Sequence, residues 1–401
     1  MLVSRLQSYP PERYPVQHAT TQFHLGSVLL HAGETGAALQ ALTAAREGFH
    51  GAGMRLEQAK AGVMLGVALR TAGRRDEAAA TLSAAHRDLA TLDQPAEQGA
   101  ALYNLGLVRQ DSGDAESACA AWGSAREAFL AAGYPMQAAA AARDHGALLL
   151  TMGRAPEAVP LLERAVALAE QAGDEPGAGA AANALGLAEL AQAHTAAAAA
   201  ALGRALSAFP RTLRPADHAM AKANLALAHE QAGDPARARL AAAQAAAVPS
   251  AAAPVRAQAR QLLDRLPGGS QEDLLTVLDA EDPEQWVAVL REEVLRAAEL
   301  PGSERCAMVS GFLDGLLVRT GASYGLAETL LQVVLELPPR TYELLVESVV
   351  HACADRPEQE TDRLHAVLGS AMARFALPQW QRLAASLNAA ADASGQPATW
   401  R

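Results

Sequence analysis

Along the first two-thirds of the chain, small and apolar residues fall into columns that repeat every 40 residues. Leu-Gly pairs stand at Leu25-Gly26, Leu65-Gly66, Leu105-Gly106 and Leu185-Gly186, while the fourth and sixth copies read His145-Gly146 and Leu225-Ala226. Seven residues later another small residue follows in every copy: Gly33, Gly73, Gly113, Gly153, Ala193 and Gly233. Ala38, Ala78, Ala118, Ala158, Ala198 and Ala238 form a third column, and Ala45, Ala85, Ala125, Ala165, Ala205 and Ala245 a fourth. A high Ala background does not account for this, because Leu-Gly keeps the same register.

Each unit is predicted to be a pair of helices. The first packs closely through Gly66 and its equivalents, where a side chain would push two backbones apart. It ends at a residue such as Gly73, suited to the positive φ of a helix C-terminus. Acidic residues just beyond, such as Asp76-Glu77 and Asp114, favour the start of the second helix. Ala78 and Ala85, seven apart, share one face of that helix, and Leu42, Leu82, Trp122, Leu162 and Leu202 supply its bulky knob. The segment Pro254–Leu266 is amphipathic without a Leu-Gly pair, as a closing cap helix would be. Pro267-Gly268-Gly269-Ser270 then breaks the pattern. From Gln271 onward Ala falls, larger apolar residues rise, and helices are predicted near 271–279, 283–299, 303–319, 323–336, 339–354, 357–374 and 378–393. No 40-residue register continues there. The expected organisation is a lead-in over 1–13, six helix pairs over 14–250, a cap and linker over 251–269, and a C-terminal all-helical domain over 270–401. That last domain is either separate or a degenerate continuation docked on the array.

Composition agrees with an all-α chain. Half the residues are apolar but only 4% are aromatic, and Ala, the strongest helix former, dominates the repeats. A formal charge of −11 and no Lys/Arg block argue against nucleic acid, which needs a basic stripe. Cys119, Cys306 and Cys353 are far apart and odd in number, which excludes a disulfide framework and fits a reducing compartment. The first residues, MLVSRLQSYPPERYP, hold no apolar run for a signal peptide, and no stretch reads as a membrane span. A cytoplasmic protein is expected.

Leu65-Gly66, Ala78, Leu82 and Ala85, repeated as Leu105-Gly106, Ala118, Trp122 and Ala125, resemble the tetratricopeptide repeat family over roughly residues 14–250. The resemblance implies a right-handed superhelical α-solenoid with a concave groove lined by first helices. The period is 40 rather than the family's 34, and the usual Pro near each unit's end is missing. Longer helices or turns, as in kinesin-light-chain-like arrays, would accommodate both. A HEAT-type array shares the longer period but not this signature.

No catalytic motif is present: no GxSxG, P-loop, HExxH, or GxGxxG following a strand. No cofactor or metal is expected, because the eleven His residues are dispersed and His24 and His31 lack further ligands at suitable spacing. Glu292-Glu293 diverge by about 100° on a helix and read as a solvated charged face. The informative residues are those that the resemblance places on the groove: Phe23, Val63, Tyr103, Arg143 and Asn183 in one column, Asn104 and Asn224 in the next, Arg70 in a third, with apolar Leu107 and Leu187. Asn104 and Asn224 match the family's groove asparagine, whose amide offers a ligand backbone both a donor and an acceptor. Arg70 and Arg143 could add charge-assisted bonds to an acidic group. Alternatively these groups only bond each other and water across neighbouring helices. The leading functional reading is a non-catalytic scaffold or adaptor that holds a protein or peptide partner, with no membrane or nucleic acid and nothing to indicate a homo-oligomer. The other is a regulatory sensor in which a small molecule or signalling peptide in the array switches the C-terminal domain.

Overall fold

The computed structural model describes residues 2–266, 268, 270–319, 323–354, 356–397 and 400. Among these the chain forms twenty-one α-helices, one 3-10 turn and no strand. A short α1 (Leu2–Ser8) leads into six pairs. They are α2 (Pro15–His31) with α3 (Thr35–Gly51), α4 (Arg55–Thr71) with α5 (Arg75–Thr91), and α6 (Pro95–Asp111) with α7 (Ala115–Ala131). Then come α8 (Pro135–Thr151) with α9 (Ala155–Gln171), α10 (Glu175–Leu190) with α11 (Thr195–Ala208), and α12 (Pro215–Gln231) with α13 (Pro235–Ala246). After these follow α14 (Ala253–Arg265), α15 (Ser270–Ala280), the 3-10 turn Pro283–Gln285, α16 (Trp286–Glu299), α17 (Gly302–Val318) and α18 (Ser323–Leu335). The last three are α19 (Pro339–Ala354), α20 (Glu358–Met372) and α21 (Leu377–Ala393). Of the expected linker, Pro267 and Gly269 lie outside the described residues.

The 40-residue period is explained by helix length. α4 and α5 have 17 residues each, and three-residue turns close each of them. The turns use a left-handed residue: Gly33, Gly73, Gly113, Gly153 and Gly233 have φ between 75° and 81°, and Ala193 adopts φ 59° in the one copy without glycine. A second set of such turns, at Gly53, Asp93, Gly133 and Gly173, closes the second helices. Each Leu-Gly glycine faces the knob of its own pair: a Cβ on Gly66 would stand 2.5 Å from Leu82, and one on Gly186 2.5 Å from Leu202. In the sixth pair Ala226 replaces glycine and the knob position is Ala242, both fully buried. The two sites change together because they share one volume.

The chain divides into two compact units, 1–208 and 209–401. The second thus holds the sixth pair, α14 and all later helices, and it spans the Pro-Gly-Gly-Ser break expected to separate domains. Ala236 and Leu240 of α13 belong to the same core as Leu274, Leu278, Leu290 and Phe312. Buried Asp273 on α15 accepts from Arg239 on α13. Beyond α14 the helices run in two rows, α15 on α17, α17 on α19 and α19 on α21, with α16 on α18 and α18 on α20.

Each unit opens on the same local device, 200 residues apart. Tyr9-Pro10, Tyr14-Pro15 and His18-Ala19 recur as Phe209-Pro210, Arg214-Pro215 and His218-Ala219. In both, the histidine Nδ1 donates back to the aromatic residue's carbonyl, His18 to Tyr9 at 2.8 Å and His218 to Phe209 at 2.9 Å. In both, the residue before the second proline packs on that aromatic ring: Tyr14 edge-on to Tyr9 at 5.6 Å, Arg214 over Phe209 at 5.4 Å. Before α12 the proline turn replaces the left-handed turn that joins the other pairs, and the second unit begins at that point.

Candidate functional site

Within the first unit, the predicted groove residues lie on the first helices α2, α4, α6, α8 and α10. Two of them meet in one network through Asp144. Tyr103 on α6 donates its hydroxyl to Asp144 Oδ2 on α8 at 2.6 Å, and Arg143 donates through Nε and Nη2 to Asp144 Oδ1 at 3.0 and 2.8 Å. The Tyr103 carbonyl in turn accepts from Trp122 Nε1 at 3.1 Å. Burial pushes the Tyr103 phenol well above its ordinary range, and the hydrogen bond to Asp144 and its charge add to this against Arg143 and Arg70. The hydroxyl is therefore a fixed donor. Arg70 is paired next to it, its Nε donating to Asp111 Oδ2 at 2.6 Å.

The polar capacity that remains uncommitted is specific. Asn104 donates its amide to the carbonyl of Ala100 in its own helix at 2.8 Å, and among the described residues its Oδ1 has no partner. Arg143 keeps Nη1 uncommitted, with its side chain 32% exposed. Leu107 and Leu187 are half-buried. Val63 and Asn183 are 8% and 6% exposed, so neighbouring helices cover most of what they could offer. Phe23 packs into the cores of the first two pairs and sets its ring edge-on to His24 at 5.7 Å. Asn224 belongs to the second unit, where α14 covers it and Gln258 donates to its Oδ1 at 3.2 Å.

Two features were not anticipated. Clefts open between successive second helices, about 330 and 510 Å³ on either side of Arg46 and Glu47, and about 460 Å³ beside Glu170 and Arg204. Small residues on their floors, Gly62 and Ala59 in one and Gly179 and Ala182 in another, leave the space and are visible in the repeat columns. The second feature overturns the reading of Glu292-Glu293 as a solvated face. Glu293 is 2% exposed and accepts from Gln244 at 2.8 Å and from Arg296 at 2.6 Å. Glu292 accepts from His218 Nε2 at 3.1 Å, and Arg211 bonds Glu299 at 2.6 Å beside it. The two carboxylates do diverge, Glu293 into a buried cage and Glu292 into a half-buried one.

Burial pushes the Cys353 thiol up to about 11 and raises Cys119 as well. Among the described residues no group of three or more His, Cys, Asp or Glu side chains converges.

The sequence model of the tetratricopeptide repeat family matches residues 137–211, which hold α8–α11. The other pairs keep the same 40-residue register as the matched ones. Among solved structures the chain is similar to BtubC (BKLC) from P. vanneervenii, at 14% identity and TM-score 0.42, over 67% of this chain and 94% of that one. It is also similar to the TPR-like repeats of a Podosopora anserina kinesin light chain, at 18% identity and TM-score 0.43, over 50% and 99%. No curated protein sequence matches the chain. Among the described residues no helix is long and apolar enough to cross a membrane.

Proposed function

We infer that the chain is a non-catalytic interaction scaffold or adaptor, and that its first-helix face around Tyr103, Asn104 and Arg143 binds a peptide segment or helix of a protein partner. Helical-repeat arrays of this kind bind through side chains projecting from rigid elements. The observation that carries the reading is the Tyr103–Asp144–Arg143 network. It ties α6 to α8 and holds Arg143 in place, leaving its Nη1 group uncommitted and an unengaged Asn104 acceptor on the adjoining helix. A donor and an acceptor on adjoining helices suit the peptide group of an extended or helical segment.

The test starts from a partner co-purified with the full chain and identified by mass spectrometry. The double variant Asn104→Ala, Arg143→Ala is expected to weaken that partner's binding in titration calorimetry by at least about 1.5 kcal/mol, the worth of two modest hydrogen bonds. Its thermal midpoint should stay within a few degrees of the parent's, since both groups are partly exposed. Unchanged affinity with an intact fold would move the interface off this face.

A further inference from the structure

After α21 the chain returns to its own helices at one residue. Ser394, Gly395 and Gln396 close α21 through backbone bonds to Ala390, Asp392 and Ala391, with Gly395 at φ 70°. Trp400 is then only 5% exposed, and it shares a core with Leu364 and Leu368 of α20 and with Leu387 and Ala391 of α21. Its ring stands 4.1 Å from that of His365 on α20, tilted by 55°. One side chain takes both of its backbone groups. The Trp400 N–H donates to Asn388 Oδ1 on α21 at 3.0 Å, and Asn388 Nδ2 donates to the Trp400 carbonyl at 2.9 Å. Trp400 thus bridges α20 and α21, which belong to different rows of the second unit.

None of these contacts requires that the occupant belong to this chain. A carboxamide holding the N–H and C=O of one residue recognises a peptide whatever its sequence, because it offers one acceptor and two donors. The slot between His365 and the leucines adds the selection, since an indole supplies a large apolar area and a ring that prefers particular geometries. Covalent attachment gives Trp400 only a local-concentration advantage, on the order of millimolar for a short connection. A foreign segment that reaches that concentration, or that touches further surface, can take its place.

We propose that the socket on α20 and α21 is a docking site for a tryptophan-bearing peptide segment of a protein partner, and that Trp400 fills it when that partner is absent. A second copy of the chain is the poorer occupant. The four steps from Gln396 to Trp400 span at most about 14 Å, so exchange between copies would need the two α21 ends to abut. A partner's segment carries no such restriction. The proposal concerns the second unit alone and does not depend on the partner-binding face in the first.

N-acetyltryptophanamide is the probe, an indole with an amide on either side, and saturation-transfer NMR on the full chain reads its binding. Trp400→Ala empties the socket and is expected to bind the probe at least about tenfold more tightly than the parent, whose own residue competes. Adding Asn388→Ala, or replacing the probe by 3-methylindole, is expected to weaken binding by at least about tenfold, because either change removes two hydrogen bonds. A second arm uses the parent labelled with 5-fluorotryptophan, which gives one resonance for each of its four Trp residues, that of Trp400 being identified by its loss in Trp400→Phe. Excess probe is expected to move the Trp400 resonance alone, with a midpoint on the order of millimolar. This arm decides the matter even if Trp400→Ala misfolds. A folded Trp400→Ala chain that ignores the probe, equal binding of 3-methylindole, or a Trp400 resonance unmoved in the parent would each overturn the site. Concentration-dependent dimerisation of the parent, lost in Trp400→Ala, would give the socket to a second copy and overturn the partner reading.

Discussion

A Glu293→Ala chain is expected to lose about 3–5 kcal/mol from the stability of the second unit, the largest single effect foreseen here. The carboxylate is 2% exposed and takes hydrogen bonds from Gln244 and from two nitrogens of Arg296, itself 8% exposed. Removing it strands a guanidinium and an amide in the interior, and breaking one side of a buried pair usually costs that much. Denaturant unfolding followed by helical circular dichroism reads it, with Glu284→Ala, on an exposed 3-10 turn, as the neutral control. A loss below about 1 kcal/mol would mean that solvent reaches the cage. The neighbouring Glu292 adds a pH dependence. Burial alone would raise its pKa, but the His218 hydrogen bond and the charges of Lys222, His218 and Arg211 outweigh it and hold the carboxyl down at about 2, against an ordinary 4.5. A carboxylate depressed in the folded state binds fewer protons there than when unfolded. Its stabilisation is complete above the ordinary value and lost as pH falls from 4.5 towards about 2. Melting of the parent chain should accordingly drop across that window, and the drop should shrink in Glu292→Gln.

Gly106→Leu is the second large effect, at about 3 kcal/mol or more. A Cβ alone at this position would stand 2.5 Å from Trp122 Nε1. Trp122 has nowhere to go: it is fully buried and its Nε1 donates to the Tyr103 carbonyl. Overpacking a rigid core usually costs about 1–3 kcal/mol, and displacing a hydrogen-bonded tryptophan adds to it. Ala125→Leu, on the same α7 face and also fully buried, should behave similarly. An unchanged unfolding midpoint in both variants would refute the packing register on which the fold rests. Gly106→Leu should also weaken partner binding, because the displaced tryptophan anchors the backbone that carries Tyr103.

The array was legible because its signal is local and repeated. Leu-Gly, the two Ala columns and the bulky knob each report a contact inside one helix pair, so 40-residue spacing suffices to find them. The helices of the last third were legible from proline punctuation and apolar periodicity. What could not be read was which faces those helices cover. Glu292 and Glu293 look solvent-facing in a charged stretch, and only the placement of α16 against His218, Gln244 and Arg211 buries Glu293 and half-buries Glu292. The start of the second unit did leave a trace, the aromatic-proline and proline-histidine pattern shared by residues 9–19 and 209–219. It is invisible at a 40-residue period and appears only at 200. On the candidate binding face, register placed Tyr103, Asn104 and Arg143 on adjoining helices. It could not foresee that Asp144 would gather Tyr103 and Arg143 into one network, nor that Val63 and Asn183 would be covered by neighbouring helices. Column membership gives the direction of a side chain, whereas burial depends on the size of residues one helix away.

The central claim, that a partner binds the first-helix face of the first unit, is tested most directly by photo-crosslinking in cells. A photoreactive residue is placed at Gln110 on α6 in one chain and at Glu47 on α3 in another, both exposed positions. The account predicts a covalent partner adduct from position 110 that disappears in the Asn104→Ala, Arg143→Ala background, and none from position 47. An adduct from position 47 alone, or one from position 110 that survives the double variant, would contradict it and place the partner in the clefts between second helices or elsewhere.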